Sequence, residues 1–70
     1  MITRNEKKLM GYIKKGCLDT TTLMEFMKFK RNTVYVYLGK IYKKLGINSM
    51  AELVHKLHTE DINTEVKWYE

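Results

Sequence analysis

The 70-residue chain has no proline, a single cysteine and no long apolar run, and each absence excludes a class of protein. The one cysteine, Cys17, cannot form an internal disulfide, so a disulfide-stapled secreted domain is excluded and a reducing cytoplasm is favoured. No stretch of about 18 apolar residues is present, which argues against a membrane-spanning helix. The opening residues MITRNEKK also lack the apolar segment of a signal peptide. We therefore expect a cytoplasmic protein without a membrane partner.

Side chains that support catalysis or metal binding are also scarce. Cys17 has no base near it in sequence, and no phosphate-binding loop or paired-carboxylate site is evident. His55 and His58 are three residues apart and could approach a metal with Glu52, but they do not complete a ligand set, so surface histidines are favoured. The sequence predicts no enzyme, no metal site and no cofactor.

The composition that remains is that of one small, basic globular domain. Hydrophobic residues make up 44% and charged residues 30% of the chain, which is not a disorder signature. A chain of this length buries a modest core, so oligomerisation is expected. The net charge of +5 is uneven: residues 1–16 and 31–48 are basic, whereas residues 49–70 are mainly acidic. This asymmetry favours a polyanionic partner for one face of the domain.

Helix caps and glycines divide the chain into four helical segments. Three capping boxes are present, namely Thr3 with Glu6, Thr22 with Glu25, and Ser49 with Glu52. Gly16 and Gly46 fall where two of the helices should end. The predicted helices span about 3–15, 20–27 and 31–45, and a fourth helix opened by Ser49 runs to about 58.

Apolar residues recur every three or four positions in these segments, which is the helical period. Apolar stripes are formed by Leu9, Met10 and Ile13 with Tyr12, by the inward-facing Val34, Leu38, Ile41 and Leu45, and by the buried Leu53, Val54 and Leu57, and the short second helix carries Leu23, Met24, Phe26 and Met27. We therefore predict an all-α domain of four helices over residues 1–58, followed by an acidic tail over residues 59–70.

A short helix, a tight turn and a longer basic helix follow one another in the middle of the chain, which indicates a helix-turn-helix. The pattern Thr-Val-x-x-His-Leu-x-x-Ile-x-x-Lys-Leu-Gly-Val is matched by Thr33-Val34, Leu38, Ile41 and Lys44-Leu45-Gly46-Ile47. The pattern Leu-Thr-x-x-Glu and a later glycine are matched by Ile2-Thr3, Glu6 and Gly16. On these residues the chain, over about 2–58, resembles the LuxR/GerE-type helix-turn-helix regulators of bacterial transcription. Four positions depart from the family's usual arginine, serine, histidine and arginine, namely Asn5, Lys30, Tyr37 and Met50.

This resemblance implies that the third helix enters the major groove of double-stranded DNA. It places base contacts at the positions of Tyr35, Val36 and Gly39. Arg31 and Asn32 add the bidentate geometry that suits guanine and adenine. The phosphate-contact candidates are Thr20, Thr21, Lys28, Lys30, Thr33, Lys40, Lys43 and Lys44. For Tyr37, packing in the core or at its rim is favoured over base reading.

The fourth helix has a second apolar stripe beside its core positions. This stripe consists of Met50, Val54 and His58, and the resemblance implies that the helix forms a dimer contact. In the tail, Trp68 can pack back on the domain, extend the dimer or dock a partner, and the first of these is favoured.

The sequence therefore predicts a sequence-specific, DNA-binding transcriptional regulator that acts as a homodimer, with no receiver or ligand-sensing domain in the chain. The alternative is a helix-turn-helix interaction module that binds a transcription regulator or polymerase subunit instead of DNA. The sparse set of base-reading side chains and the Trp68 tail favour this alternative, whereas the clustered basic face favours DNA.

Overall fold

A computed structural model describes residues 2–66 as four α-helices joined by short links. They are α1 (Arg4–Lys14), α2 (Thr20–Met27), α3 (Arg31–Leu45) and α4 (Met50–Thr59). No strand occurs within the described range, so the predicted all-α class is confirmed, and the predicted bounds agree to within one residue. No helix in this range is long and apolar enough to cross a bilayer.

The first capping box forms as predicted, but the second does not. At the start of α1, the Thr3 Oγ1 accepts the Glu6 N–H at 3.4 Å, and the Glu6 Oε1 accepts the Thr3 N–H at 2.7 Å. The N-cap of α2 is Asp19, and Thr22 lies inside the helix, where its hydroxyl donates to Asp19 Oδ2 at 3.2 Å. The box predicted for Thr22 and Glu25 is therefore wrong, because Thr22 already has helical backbone geometry and is not an N-cap.

The third box forms in part. The Ser49 Oγ accepts the Glu52 N–H at 3.2 Å, as the box requires. The Glu52 carboxylate, however, accepts the backbone N–H of Asn48, one residue before the cap. The start of α4 is therefore still satisfied by side chains, as the sequence predicts.

The core is formed by apolar side chains from all four helices. Its buried members are Leu9, Met10, Ile13, Leu23, Met27, Val34, Leu38, Ile41, Leu53 and Leu57, all of them apolar positions of the predicted helices. Tyr12, Met24, Leu45 and Val54 are half-buried at its edge.

Phe26, an apolar residue of α2, is 47% exposed, whereas Leu23 and Met27 of the same helix are buried. Its ring instead lies against that of Tyr12, with a centroid separation of 5.0 Å.

The helices pack around α1, which contacts each of the other three. The helices α2 and α3 also pack on each other, and the turn between them is only three residues long. Lys28 opens this turn in the left-handed conformation, with φ of 57°. Such a conformation is unfavourable for a residue with a Cβ atom, by about 1–2 kcal/mol. Lys28 is the C-cap that ends α2, and α3 begins three residues later and packs against α2.

The segment after α4 returns along α1. Ile62 packs on the core, and the carbonyl oxygen of Thr64 lies 3.7 Å from the point that a Cβ atom on Gly11 would occupy. The start of the predicted tail is thus docked on the domain. Residues 67–70, which include Trp68, lie outside the described residues, as does Met1.

Candidate nucleic-acid interface

The helix α3 has one buried face and one exposed face. Val34, Leu38 and Ile41 are buried in the core. The opposite side, here called the outer face, exposes Arg31, Asn32, Tyr35, Val36, Gly39, Lys40 and Lys43. All five predicted base-contact residues therefore lie together on one surface, with two of the predicted phosphate-contact lysines beside them.

Tyr35 connects the starts of α2 and α3. Its side chain is exposed, and its hydroxyl oxygen is hydrogen-bonded by Arg31, one turn earlier in α3, and by Thr20, the first residue of α2. These bonds, and chiefly the one from Arg31, lower the pKa of Tyr35 because they favour the phenolate form. Two predicted base-contact residues, Arg31 and Tyr35, and one predicted phosphate-contact residue, Thr20, therefore form one cluster.

Val36 and Gly39, near the middle of the outer face, have small side chains and leave the helix backbone accessible. Val36 is 47% exposed, and a Cβ atom added to Gly39 would meet no atom within 4 Å. Glycine inside a helix is destabilising by about 0.5–1 kcal/mol relative to alanine. No packing contact within residues 2–66 explains this glycine, whereas a partner that approaches the helix backbone would.

The remaining phosphate-contact candidates border the outer face from the α2 side. Lys28 and Lys30 are exposed in the turn before α3. Thr21 is exposed at the start of α2, and Thr33 is half-buried in the first turn of α3. These polar side chains therefore lie on the elements next to Arg31, in the turn and in the first turns of α2 and α3.

Lys44 differs from the other predicted phosphate contacts because it has a partner inside the protein. Its Nζ lies 2.7 Å from Glu6 Oε1. The Glu6 side chain is 1% exposed and that of Lys44 is 33% exposed. The phosphate contact of Lys44 stays a prediction, but its ammonium group already neutralises a buried carboxylate.

The same carboxylate completes the capping box of α1. Glu6 Oε1 accepts both the Thr3 N–H and the Lys44 ammonium, while Oε2 has no hydrogen-bond partner within the described residues. Burial acts to raise the pKa of Glu6, but the bonds from Lys44 and Thr3 together outweigh it, so the pKa is lowered. Sequence reasoning missed this pair. The sequence did contain a signal for the burial of Glu6, because Glu6 lies on the same helical face as Leu9, Met10 and Ile13.

Tyr37 packs at the rim of the core, as predicted. Its ring is stacked on Phe29, with centroids 5.0 Å apart and planes inclined by 9°. Its hydroxyl accepts the side-chain N–H of Asn5 at 3.3 Å, which joins α3 to α1. The Lys40 Nζ lies over the ring, 5.4 Å from its centroid.

The predicted dimer stripe of α4 is only partly available to a second chain. Met50 and Val54 are half-buried and pack against the core of their own chain, whereas His58 is exposed. His55 is exposed as well, and within residues 2–66 His, Cys, Asp and Glu side chains do not gather in groups of three that could hold a metal ion.

Comparison of the chain with protein-family models, with curated proteins and with solved structures finds no match. The LuxR/GerE resemblance of Thr33–Ile47 therefore stays a prediction.

Proposed function

We propose that this protein regulates transcription by binding double-stranded DNA through the outer face of α3, as a LuxR/GerE-type helix-turn-helix domain. The observation that carries the proposal is the alignment of every predicted base contact on one exposed side of a helix whose other side is core. The charge supports it, because no acidic residue occurs between Glu25 and Glu52. A polyanion can therefore approach this face without meeting a carboxylate of α3.

The dimensions of α3 suit a major groove. Its 15 residues span about 22 Å, and the groove of B-DNA, about 12 Å wide, admits one α-helix. Arg31 and Asn32, in the first turn, are the hydrogen-bonding base readers in this arrangement. Val36 offers a contact to a thymine methyl group, and Gly39 lets the backbone come close to the base edges.

Exposed lysines on and beside the outer face, together with a threonine of α2, supply the phosphate contacts. Lys28, Lys30, Lys40 and Lys43 are exposed, and Thr20 is held beside Arg31 by the Tyr35 hydroxyl. Contacts to phosphate fix the register of a protein on the duplex, and contacts to base edges then select the sequence.

The proposed active form is a homodimer joined through α4, which would place two copies of α3 on a two-fold-related site. His58→Glu is the suitable test, because His58 is exposed whereas Val54 contributes to the core. Analytical ultracentrifugation of the wild type should give the mass of a dimer, and that of the variant the mass of a monomer. A monomeric wild type at all concentrations would contradict the dimer.

A protein-interaction module is the second candidate. Tyr35 is 52% and Val36 47% exposed at the centre of the outer face, and tyrosine is enriched in protein interfaces. Such an interface would show little dependence on the lysines at its edge, since exposed ion pairs contribute little. The salt dependence of binding therefore separates the two candidates.

The test is fluorescence anisotropy with a mixed-sequence pool of labelled duplexes over a range of salt concentrations. Lys40→Ala and Lys43→Ala should each reduce the log–log salt slope by about 1.8 for the proposed homodimer, because each removes one phosphate contact, worth about 0.9, from both protomers. Lys56→Ala is the matched control: it changes the net charge equally, but Lys56 lies on α4 and pairs with Glu60. Lys44 is left unchanged because of its bond to Glu6.

Two outcomes would refute DNA binding. One is the absence of any binding to the duplex pool at low salt. The other is a salt slope that falls equally for Lys40→Ala and Lys56→Ala, since only general charge would then be measured.

A further inference from the structure

A cleft of about 620 Å³ lies between the start of α1 and the C-terminal half of α3. It is lined by Thr3, Arg4, Asn5, Glu6, Tyr37, Lys40 and Lys44. The only acid among these side chains is Glu6, which is buried and bonded to Lys44. The charge that the cleft presents to a ligand is therefore set by Arg4 and Lys40, and it is positive.

The cationic group of Lys40 is positioned by aromatic packing. Stacking on Phe29 fixes the ring of Tyr37, and the Asn5 amide holds the hydroxyl end of that ring. The Lys40 Nζ lies 5.4 Å above the centroid of the same ring, a cation–π geometry. Because the Tyr37 oxygen accepts from Asn5, its own O–H is left to donate to a ligand in the cleft.

These donors suit one chemical class. A guanidinium, an ammonium and a phenolic O–H that converge on a concave surface match a group with several anionic oxygens, above all a phosphate. Lys40 lines this cleft and also belongs to the outer face, so the two surfaces are continuous. A ligand that lies along the outer face can therefore extend into the cleft. That continuity favours a phosphate of the same DNA over an acidic segment of a protein.

The spacing along α3 fits two edges of one groove. The cluster of Thr20, Arg31 and Tyr35 marks one end of the helix, and the cleft marks the other. Thr20, beside Arg31, is the phosphate-contact candidate at the first end, and Arg31 and Lys40 are nine positions apart, which is about 14 Å along a helix and close to the groove width of about 12 Å. We infer that the cleft binds a backbone phosphate of the strand on the far edge of the groove. The start of α1 would then contact the duplex in addition to α2 and α3.

This inference rests on the proposed DNA binding, and Arg4→Gln tests it. Arg4 is exposed at the first position of α1, so its replacement should leave the fold intact. Arg4→Gln removes one contact from each protomer of the proposed homodimer, so it should reduce the salt slope in the duplex titration by about 1.8 and weaken binding about 60-fold at 0.1 M salt. Lys56→Gln, with the same change in net charge, should leave the slope unchanged.

Substitutions of Tyr37 test the positioning of Lys40. Tyr37→Phe keeps the ring under Lys40 and loses only the hydroxyl, so most of the salt slope should remain. Tyr37→Leu removes the ring and should reduce the slope as much as Lys40→Ala does. Thermal melts by circular dichroism identify any general loss of folding, which by itself would not alter the slope of the folded fraction.

The outcomes are distinct. If the wild type binds DNA and Arg4→Gln keeps the full slope, the cleft inference is overturned and the proposed function stands. If the wild type binds no duplex, the proposed function falls and the cleft inference with it. Inorganic phosphate, titrated alone and followed by NMR at Arg4 and Asn5, should not saturate at millimolar concentration. Saturation there would assign the cleft to free phosphate and overturn the inference.

Discussion

Glu6 and Lys44 form an ion pair, and we expect substitutions of the two residues to destabilise the fold by different amounts. Removing the lysine leaves a carboxylate that is 1% exposed without its cation. Removing the negative charge instead leaves an ammonium group that is 33% exposed and can turn towards water. The first change should therefore destabilise the fold more than the second.

Magnitudes follow from the burial of each partner. Breaking a buried pair by removing one member costs about 3–5 kcal/mol when the remaining charge is fully buried. Because the lysine side chain of this pair is partly exposed to solvent, we expect Lys44→Met to lower the free energy of unfolding by about 2–4 kcal/mol. Glu6→Gln should lower it by about 1 kcal/mol, since glutamine can still complete the capping box with Thr3.

Urea denaturation followed by far-UV circular dichroism measures these differences. For a domain of this size, 1 kcal/mol corresponds to a shift in Tm of about 4–8 °C, so Lys44→Met should also melt roughly 8–32 °C lower. The matched control is Lys43→Met on the same helix, whose lysine is exposed, and it should change stability by less than about 0.5 kcal/mol. Equal effects of Lys43→Met and Lys44→Met would refute the structural role of the pair.

The pH dependence supplies an independent check with a defined sign. The folded-state pKa of Glu6 lies below its ordinary value of 4.5. The stabilising contribution is therefore complete above about pH 4.5 and is lost as the pH falls through the folded pKa. Wild-type stability should fall over this acidic range more steeply than that of Glu6→Gln. Parallel pH profiles for the two proteins would contradict the assignment.

Three further variants address single positions on the backbone. Gly39→Ala should stabilise α3 by about 0.5–1 kcal/mol in a urea titration and yet weaken DNA binding in the anisotropy assay, because the added methyl group separates the helix from the bases. Gly11→Ala, in α1, should give a similar gain in stability with unchanged DNA affinity; a loss of affinity for both, or for neither, would argue against close approach at Gly39. Lys28→Gly should raise the free energy of unfolding by about 1 kcal/mol, because glycine adopts the left-handed conformation without a penalty. An unchanged or lower stability for Lys28→Gly would show that this conformation is not unfavourable here.

Most of the helical architecture was predictable because its signals are local. The periodicity of Val34, Leu38 and Ile41 indicated both the buried side of α3 and, by subtraction, its outer face. The Thr3 capping box and the glycine at position 46 marked helix ends for the same reason, since caps act within a few residues.

What the sequence by itself determined was therefore the set of helices, their core stripes and the exposed basic face of α3. Tertiary structure decided which polar groups meet across helices. Glu6 and Lys44 are 38 positions apart, and Asn5 and Tyr37 are 32 positions apart, so no local pattern relates them. Only the packing of α1 beside α3 brings them together. That packing turned one predicted DNA-contacting lysine into the partner of a buried carboxylate, and it formed a basic cleft from the start of one helix and the end of another.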